Sequence, residues 1–299
     1  MKTGEKKDGG EFIPMNFLGL GNSLSSLEKS KVVVIPVPYD LTTSYLPGAR
    51  RGPIAIIEAS KQLELFDDEI KKEIASIGIH TMGQLEQVVS NPEQMGERVR
   101  EAVSWVIDSK KFPVLLGGEH SITLGAVRAL TDRYSDVGVV QFDAHADLRD
   151  TYQGSKYSHA CVGRRINETC KLTLVGVRSM CKEEYDFLTR SETDLCFARD
   201  VLEHRYRIED FIEKLPSDIY LTIDLDVLDP SIMPSVGTPE PGGLGWYKII
   251  DLLKTLAKRK NILGFDIVEL CPQPLNPAPD FLAAKLCYKL MGYIFFKQT

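Results

Sequence analysis

The chain has 299 residues, 43% hydrophobic and 26% charged, with a formal net charge of -6 at pH 7. That balance is ordinary for a folded globular protein, and its sign excludes a general nucleic-acid binder, which would show a basic face. No apolar run is long enough to span a membrane, and the opening MKTGEKKDGGEF lacks the apolar segment of a secretory signal, so a cytoplasmic location is expected. Cys161, Cys170, Cys181, Cys196, Cys271 and Cys287 are scattered without a C-x-x-C pair and read as reduced thiols.

Residues 1–11 are polar and rich in Gly and Lys, and are expected to form a mobile tail. Phe12–Leu20 is apolar enough to pack on something, a neighbouring subunit being one candidate. Lys31–Pro36 predicts a first strand, and a turn-rich loop follows. Pro53 suits the first turn of a helix running to about Phe66. Ile74–His80 predicts a short strand. The spacing of Met95, Val99, Val103 and Val106 predicts a helix over Pro92–Ser109. Val114–Leu116 forms the core of a strand that runs into Gly117–Ser121, and Ile122–Tyr134 predicts a helix. The apolar run Val137–Phe142 suits a buried parallel strand. Beyond it, strands are expected at Lys171–Val175, Asp194–Phe197, Ile219–Ile223 and Ile262–Ile267. Helices are expected at Lys182–Arg190, Arg207–Leu215, Trp246–Lys258 and Asp280–Phe296, and Asp229–Gly245 is a Pro/Gly-rich loop. Strands alternating with helices imply the α/β class: three α/β/α layers around a mostly parallel sheet, in a single domain over residues 1–299.

The chemistry gathers after three strands. Asp143, His145 and Asp147 are spaced two apart, and in an extended chain such residues project to one face. Desolvating that cluster is costly unless a charge compensates it, and a divalent metal is the natural compensator. His120 follows one further strand, and Asp224 and Asp226 end another. Ligands in open α/β sheets bind outside the carboxyl ends of the strands, so the three ends can converge. Taken singly, His120 could be a core or capping residue and Asp224 a turn cap. Together, four carboxylates and two imidazoles exceed one tetrahedral zinc site. They suit two ions, and the oxygen-rich set favours manganese.

GGEHS (117–121), DAHAD (143–147) and the D-x-D-x-x-D-P run Asp224–Pro230 resemble the three signatures of the ureohydrolases, the family of arginases and agmatinases. Val37–Ser60, Ser158–Arg165, Gly237–Gly243 and Phe265–Leu270 extend the resemblance toward agmatinases. It implies an arginase-like fold and two Mn(2+) ions per subunit. His120, Asp143, Asp147 and Asp224 would hold one ion, and Asp143, His145, Asp224 and Asp226 the other, with Asp143 and Asp224 shared. It further implies that His159 stands beside the leaving group, that Glu269 grips the guanidinium and that Thr238 also meets the substrate. A homo-oligomer, trimer or hexamer, is implied as well. Asp229 is expected to stabilise a turn. Thr222 stands where many relatives have Ser, and Gln84 where many have an acidic residue.

A guanidinium is a resonance-stabilised cation and a poor electrophile, so its hydrolysis needs a hydroxide and a proton for the departing amine. His159, titrating near neutral pH, is the candidate relay. Arginases carry an Asn two residues after the DAHxD motif and an SGNxHG-like loop that meet the amino-acid end of arginine. Here Arg149 and Tyr157 occupy those positions. The expected reaction is therefore hydrolysis of agmatine to putrescine and urea. Aminopropylagmatine, guanidinobutyrate and arginine are same-reaction alternatives. A deacetylase-type metallohydrolase and a non-catalytic metal-binding homologue are the readings from other classes.

Overall fold

The computed structural model describes residues 5–7, 10–205 and 208–297. Its strands are β1 (Glu5–Lys7), β2 (Gly10–Phe12), β3 (Val32–Val37), β4 (Phe66–Asp67), β5 (Lys72–Glu73), β6 (Ile79–Thr81), β7 (Phe112–Gly117), β8 (Val137–Phe142), β9 (Lys171–Val177), β10 (Asp194–Phe197), β11 (Asp218–Asp224) and β12 (Asn261–Val268). Its helices are α1 (Asn22–Ser25), α2 (Gly52–Ser60), α3 (Pro92–Asp108), α4 (Thr123–Thr131), α5 (Val162–Asn167), α6 (Lys182–Leu188), α7 (Ala198–Leu202), α8 (Ile208–Ile212), α9 (Trp246–Arg259) and α10 (Ala278–Phe295). Eight strands form one sheet in the order β10-β9-β8-β11-β12-β7-β3-β6. Every pairing in it is parallel.

A parallel sheet hides both faces, and its strands accordingly read as apolar runs. In β3, Val32 and Val34 enter one core while Val33, Ile35 and Val37 enter the other. Alternate Cβ atoms point to opposite faces, which produces that split. Helices α2, α9 and α10 cover the first core, and α3, α4 and α5 the second. The α3 residues buried there are the four whose spacing predicts the helix. Burying each such aliphatic side chain contributes about 1.5–3 kcal/mol.

Most elements fall within a few residues of expectation, and the exceptions have local causes. The helix opening near Pro53 stops at Ser60, and Phe66–Asp67 instead pairs with Lys72–Glu73 as a short antiparallel ribbon. The stretch expected as a strand over Ile74–His80 is a 3₁₀ turn at Ile74–Ile77 followed by β6. Gly78 separates the two with φ +74, a conformation that glycine adopts at no steric cost. Helices α1, α5 and α7 lie where no helix is predicted. Phe12–Leu20 divides: Phe17, Leu18 and Leu20 join the chain's own core, while Phe12, Ile13 and Met15 are exposed. Within the expected tail, β1 pairs with β2, and residues 1–4 and 8–9 lie outside the described residues. Arg207, where one helix was expected to begin, also lies outside them. No disulfide joins any of the six cysteines among the described residues. No helix among the described residues is long and apolar enough to cross a membrane.

Candidate active site

Four adjacent strands, β8, β11, β12 and β7, end at one point. His120 begins a 3₁₀ turn just past β7, Asp143 follows β8, Asp224 closes β11 with Asp226 beyond it, and Glu269 follows β12. The turn after β7 is glycine-rich because the loop after β3 presses on it. A Cβ on Gly118 would lie 1.8 Å from the Tyr39 carbonyl oxygen. That same carbonyl accepts the Glu119 N–H at 2.7 Å.

The DAHAD residues converge, but not by strand alternation. β8 stops at Phe142, and Asp147 has φ +52. The Ala144 carbonyl accepts N–H groups from Arg178 and Ser179, which draws the segment beside the end of β9 before it turns back. Asp147 and Glu269 (φ +66) both hold the left-handed conformation that non-glycine residues seldom adopt, a local strain maintained by the surrounding packing.

His120 is fully buried. Its Nε2 lies 2.8 Å from the Thr222 hydroxyl, which donates to Asp266 Oδ1 at 2.6 Å. The hydroxyl proton is thus committed, so Thr222 accepts from Nε2–H, and Nδ1 is the ring nitrogen turned toward the carboxylates. Nδ1 lies 3.1 Å from Asp143 Oδ2, 3.3 Å from Asp147 Oδ2 and 3.3 Å from Asp224 Oδ2. It makes no hydrogen bond among the described residues. A buried ring nitrogen that faces three carboxylate oxygens without a hydrogen bond fits a shared cation, and its carboxylate-backed imidazole follows the usual support of a metal-binding histidine.

His120, Asp143 and Asp147 form one group whose potential ligand atoms lie within 4.8 Å of one another, and Asp143, His145 and Asp226 form a second. Asp143 belongs to both. His145 Nδ1 is 2.8 Å from Asp226 Oδ2. Asp224 faces the first group through Oδ2, while its Oδ1 accepts the Asp226 N–H at 2.9 Å. Burial and then the Asp143 charge push Asp147 up to about 7. Burial, with Asp226 and Asp143, raises Asp224 well above the carboxylate range. Carboxylates this crowded call for cationic compensation.

His145, Asp147, Asp224, Asp226, His159, Thr238 and Glu269 line one narrow cleft together with Thr43–Leu46. His120 and Asp143 lie beneath it, both fully buried. The structure thus brings every expected site residue together. Burial lowers His159 to about 4, so its ring is neutral near pH 7. Burial and then Glu119 raise Glu269. The cleft opens into a wider cavity of about 270 Å³ that shares His145, Asp147, His159 and Thr238 and continues past Arg149, Tyr152 and Glu184.

Arg149 lies in the wider cavity. Its guanidinium stacks 5.0 Å from the Tyr152 ring, and Asp150 accepts from Arg165 at 2.7 Å. Tyr157 turns away from the cleft, with Arg128 5.7 Å from its ring. Asp229 accepts N–H groups from Ser231, Gly242 and Gly243, as expected of a turn residue. Sequence reasoning missed Thr42, Glu119, Tyr152 and Asp266. Thr42 lies in the Val37–Ser60 block, Glu119 in GGEHS and Asp266 in Phe265–Leu270, so the motifs contained these three without distinguishing their parts, while Tyr152 lies outside every motif.

The arginase family model matches residues 30–292. The chain is 40% identical to the N(1)-aminopropylagmatine ureohydrolase of Synechocystis sp., covering 94% of each chain. It is 39% identical to the agmatinase of Pyrococcus horikoshii, over 89% of this chain and 93% of that one. Among solved structures it resembles the agmatine ureohydrolase of Thermoplasma volcanium, with a TM-score of 0.85 and 34% identity over 95% of this chain and 96% of that one. With the sheet, the strand-end carboxylates and these likenesses together, the chain belongs to the arginase family of ureohydrolases, hydrolases that act on guanidino C–N bonds.

Proposed function

We propose that this ureohydrolase cleaves the guanidino group of an amine that lacks an α-carboxylate, releasing urea; agmatine is the simplest such substrate. The observation that carries the reading is the cleft, in which Glu269, His159 and the two carboxylate groups face one another. His120, Asp143, Asp147 and Asp224 would hold one manganese, and Asp143, His145, Asp224 and Asp226 the second. Bound manganese would lower the pKa of a water enough to supply hydroxide near neutral pH.

The chain's own groups do the rest. Glu269 binds the guanidinium through charge-assisted hydrogen bonds and turns its central carbon toward the carboxylate groups. Thr238 stands at the mouth of the same cleft. His159, neutral before reaction, takes up a proton at Nε2 and returns it to the departing amine.

A longer amine is favoured by the wider cavity beyond His159, and N(1)-aminopropylagmatine has the aminopropyl extension to enter it. The names of several relatives support that reading. Tyr157 faces elsewhere, so no group at the arginase Asn position meets an amino-acid end. We further propose a cytoplasmic homo-oligomer. Exposed Phe12, Ile13 and Met15 support self-association. Urea release with manganese, and its loss after chelation, tests the reaction. Turnover independent of any divalent ion would refute it.

A further inference from the structure

A second polar chain reaches the site through Glu119 and Thr42. Glu119 is fully buried. Its Oε2 accepts the Thr42 N–H at 2.6 Å, and its Oε1 accepts the Thr42 hydroxyl at 2.6 Å together with the Ser121 hydroxyl. Thr42 Oγ1 then accepts the His159 N–H at 3.0 Å and lies 3.3 Å from His159 Nδ1. A hydroxyl has one proton and two lone pairs. The proton goes to Glu119 and one lone pair to the His159 amide. The remaining lone pair can only accept, so a hydrogen bond between Thr42 and Nδ1 requires the hydrogen on Nδ1.

We propose that Thr42, anchored by Glu119, fixes the tautomer and ring orientation of His159, which makes Thr42 a positioning residue for the hydrolysis. This rests on the reading of His159 given under Proposed function. The Nδ1–H tautomer leaves Nε2 as the basic nitrogen, and no described residue hydrogen-bonds to it. Nε2 can therefore accept a proton from the cleft and hand it on. When the ring is doubly protonated, Nδ1–H keeps its bond to Thr42. The arrangement has the logic of a histidine oriented by a buried carboxylate, with a hydroxyl interposed. Ser158 competes for the same nitrogen, since its hydroxyl also lies 3.3 Å from Nδ1. Donation from Ser158 would enforce the opposite tautomer. No described hydrogen bond commits the Ser158 proton elsewhere, whereas that of Thr42 is committed to Glu119.

Thr42→Val, Thr42→Ser and Ser158→Ala, made in the full-length protein, separate these readings. Solid-state nitrogen NMR of histidine-labelled protein, loaded with diamagnetic magnesium, reports the tautomers directly. The chain has only 5 histidines, and a His159→Gln spectrum identifies the signal of interest. The expected result is an Nδ1–H ring in the wild type, Thr42→Ser and Ser158→Ala, and loss of that tautomer in Thr42→Val. With manganese, Thr42→Val should lower kcat roughly 10- to 100-fold, part of the usual contribution of a proton-transfer group. KM and metal content should hold, and Thr42→Ser should restore most of kcat. An unchanged tautomer in Thr42→Val overturns the relay. A changed tautomer with kcat insensitive to both Thr42→Val and His159→Gln upholds the hydrogen-bond relay but overturns the positioning role along with the His159 reading. A changed tautomer with kcat sensitive to His159→Gln but not to Thr42→Val overturns the positioning role alone.

Discussion

The backbone N–H of His120 donates to Glu269 Oε1 at 2.7 Å, and the Glu269 N–H donates to the Gly118 carbonyl at 2.8 Å. These two bonds lock the turn after β7 to the turn after β12. One Glu269 oxygen is thereby pinned to the fold and the carboxylate is aimed into the cleft.

Glu269→Gln keeps that shape and removes the charge. It should lower kcat/KM for a guanidino substrate by roughly 10- to 150-fold, the loss of a charge-assisted pair worth about 1.5–3 kcal/mol. Manganese content, measured by elemental analysis, should not change. Wild-type kcat/KM in the variant would remove Glu269 from substrate binding.

Asp143 belongs to both carboxylate groups and Asp147 to one. Asp143→Ala should therefore strip both metals or nearly so, and Asp147→Ala should mainly weaken one. Equal stoichiometry in the two purified variants contradicts the shared role of Asp143.

Asp266 holds His120 at one remove through Thr222. Asp266→Asn should weaken manganese binding by roughly 10- to 100-fold, the usual effect of losing such support. Titration against a competing chelator measures it, and wild-type affinity would show that Thr222 alone sets the ring.

The alternation of apolar runs and helical spacings made the layers legible, because parallel strands and covering helices have distinct periods. The site was legible as a set of residue types, since carboxylates and imidazoles at strand ends have few other uses. How they converge was not. Asp147 reaches the cleft through a left-handed turn, which no period in the sequence announces. Thr42 and Asp266 act through hydrogen bonds spanning 117 and 44 positions, to His159 and Thr222, and such pairings exist only after folding. Tyr157 and Arg149 were identified at the right positions, but their orientations depend on neighbours, Arg128 and Tyr152, that spacing does not reveal.

Away from the site, Glu69 accepts from Lys254 at 2.6 Å, from the Tyr293 hydroxyl at 2.6 Å and lies 3.0 Å from Lys289 Nζ. Burial opposes its ionisation, but these donors hold it down to about 2, from an ordinary 4.5. A depressed folded-state pKa stabilises above the unfolded value and loses that stabilisation as pH falls through the folded one. The Tm difference between wild type and Glu69→Gln should thus be full above about pH 5 and shrink from about pH 4.5 toward pH 2. A difference that stays constant over that range would mean the charge contributes nothing to the docking of α10.

The central claim is that the cleft takes a guanidino amine without an α-carboxylate. Enclosing that carboxylate without a dedicated partner costs about 1–3 kcal/mol, or roughly ten- to hundredfold in kcat/KM. The direct measurement is kcat/KM for agmatine, N(1)-aminopropylagmatine and arginine with manganese present. The account predicts that both amines exceed arginine by at least roughly tenfold, with the longer amine at least equal to agmatine. Parity with arginine, or a preference for it, would contradict the claim and make Arg149, in the wider cavity, the partner of a substrate carboxylate.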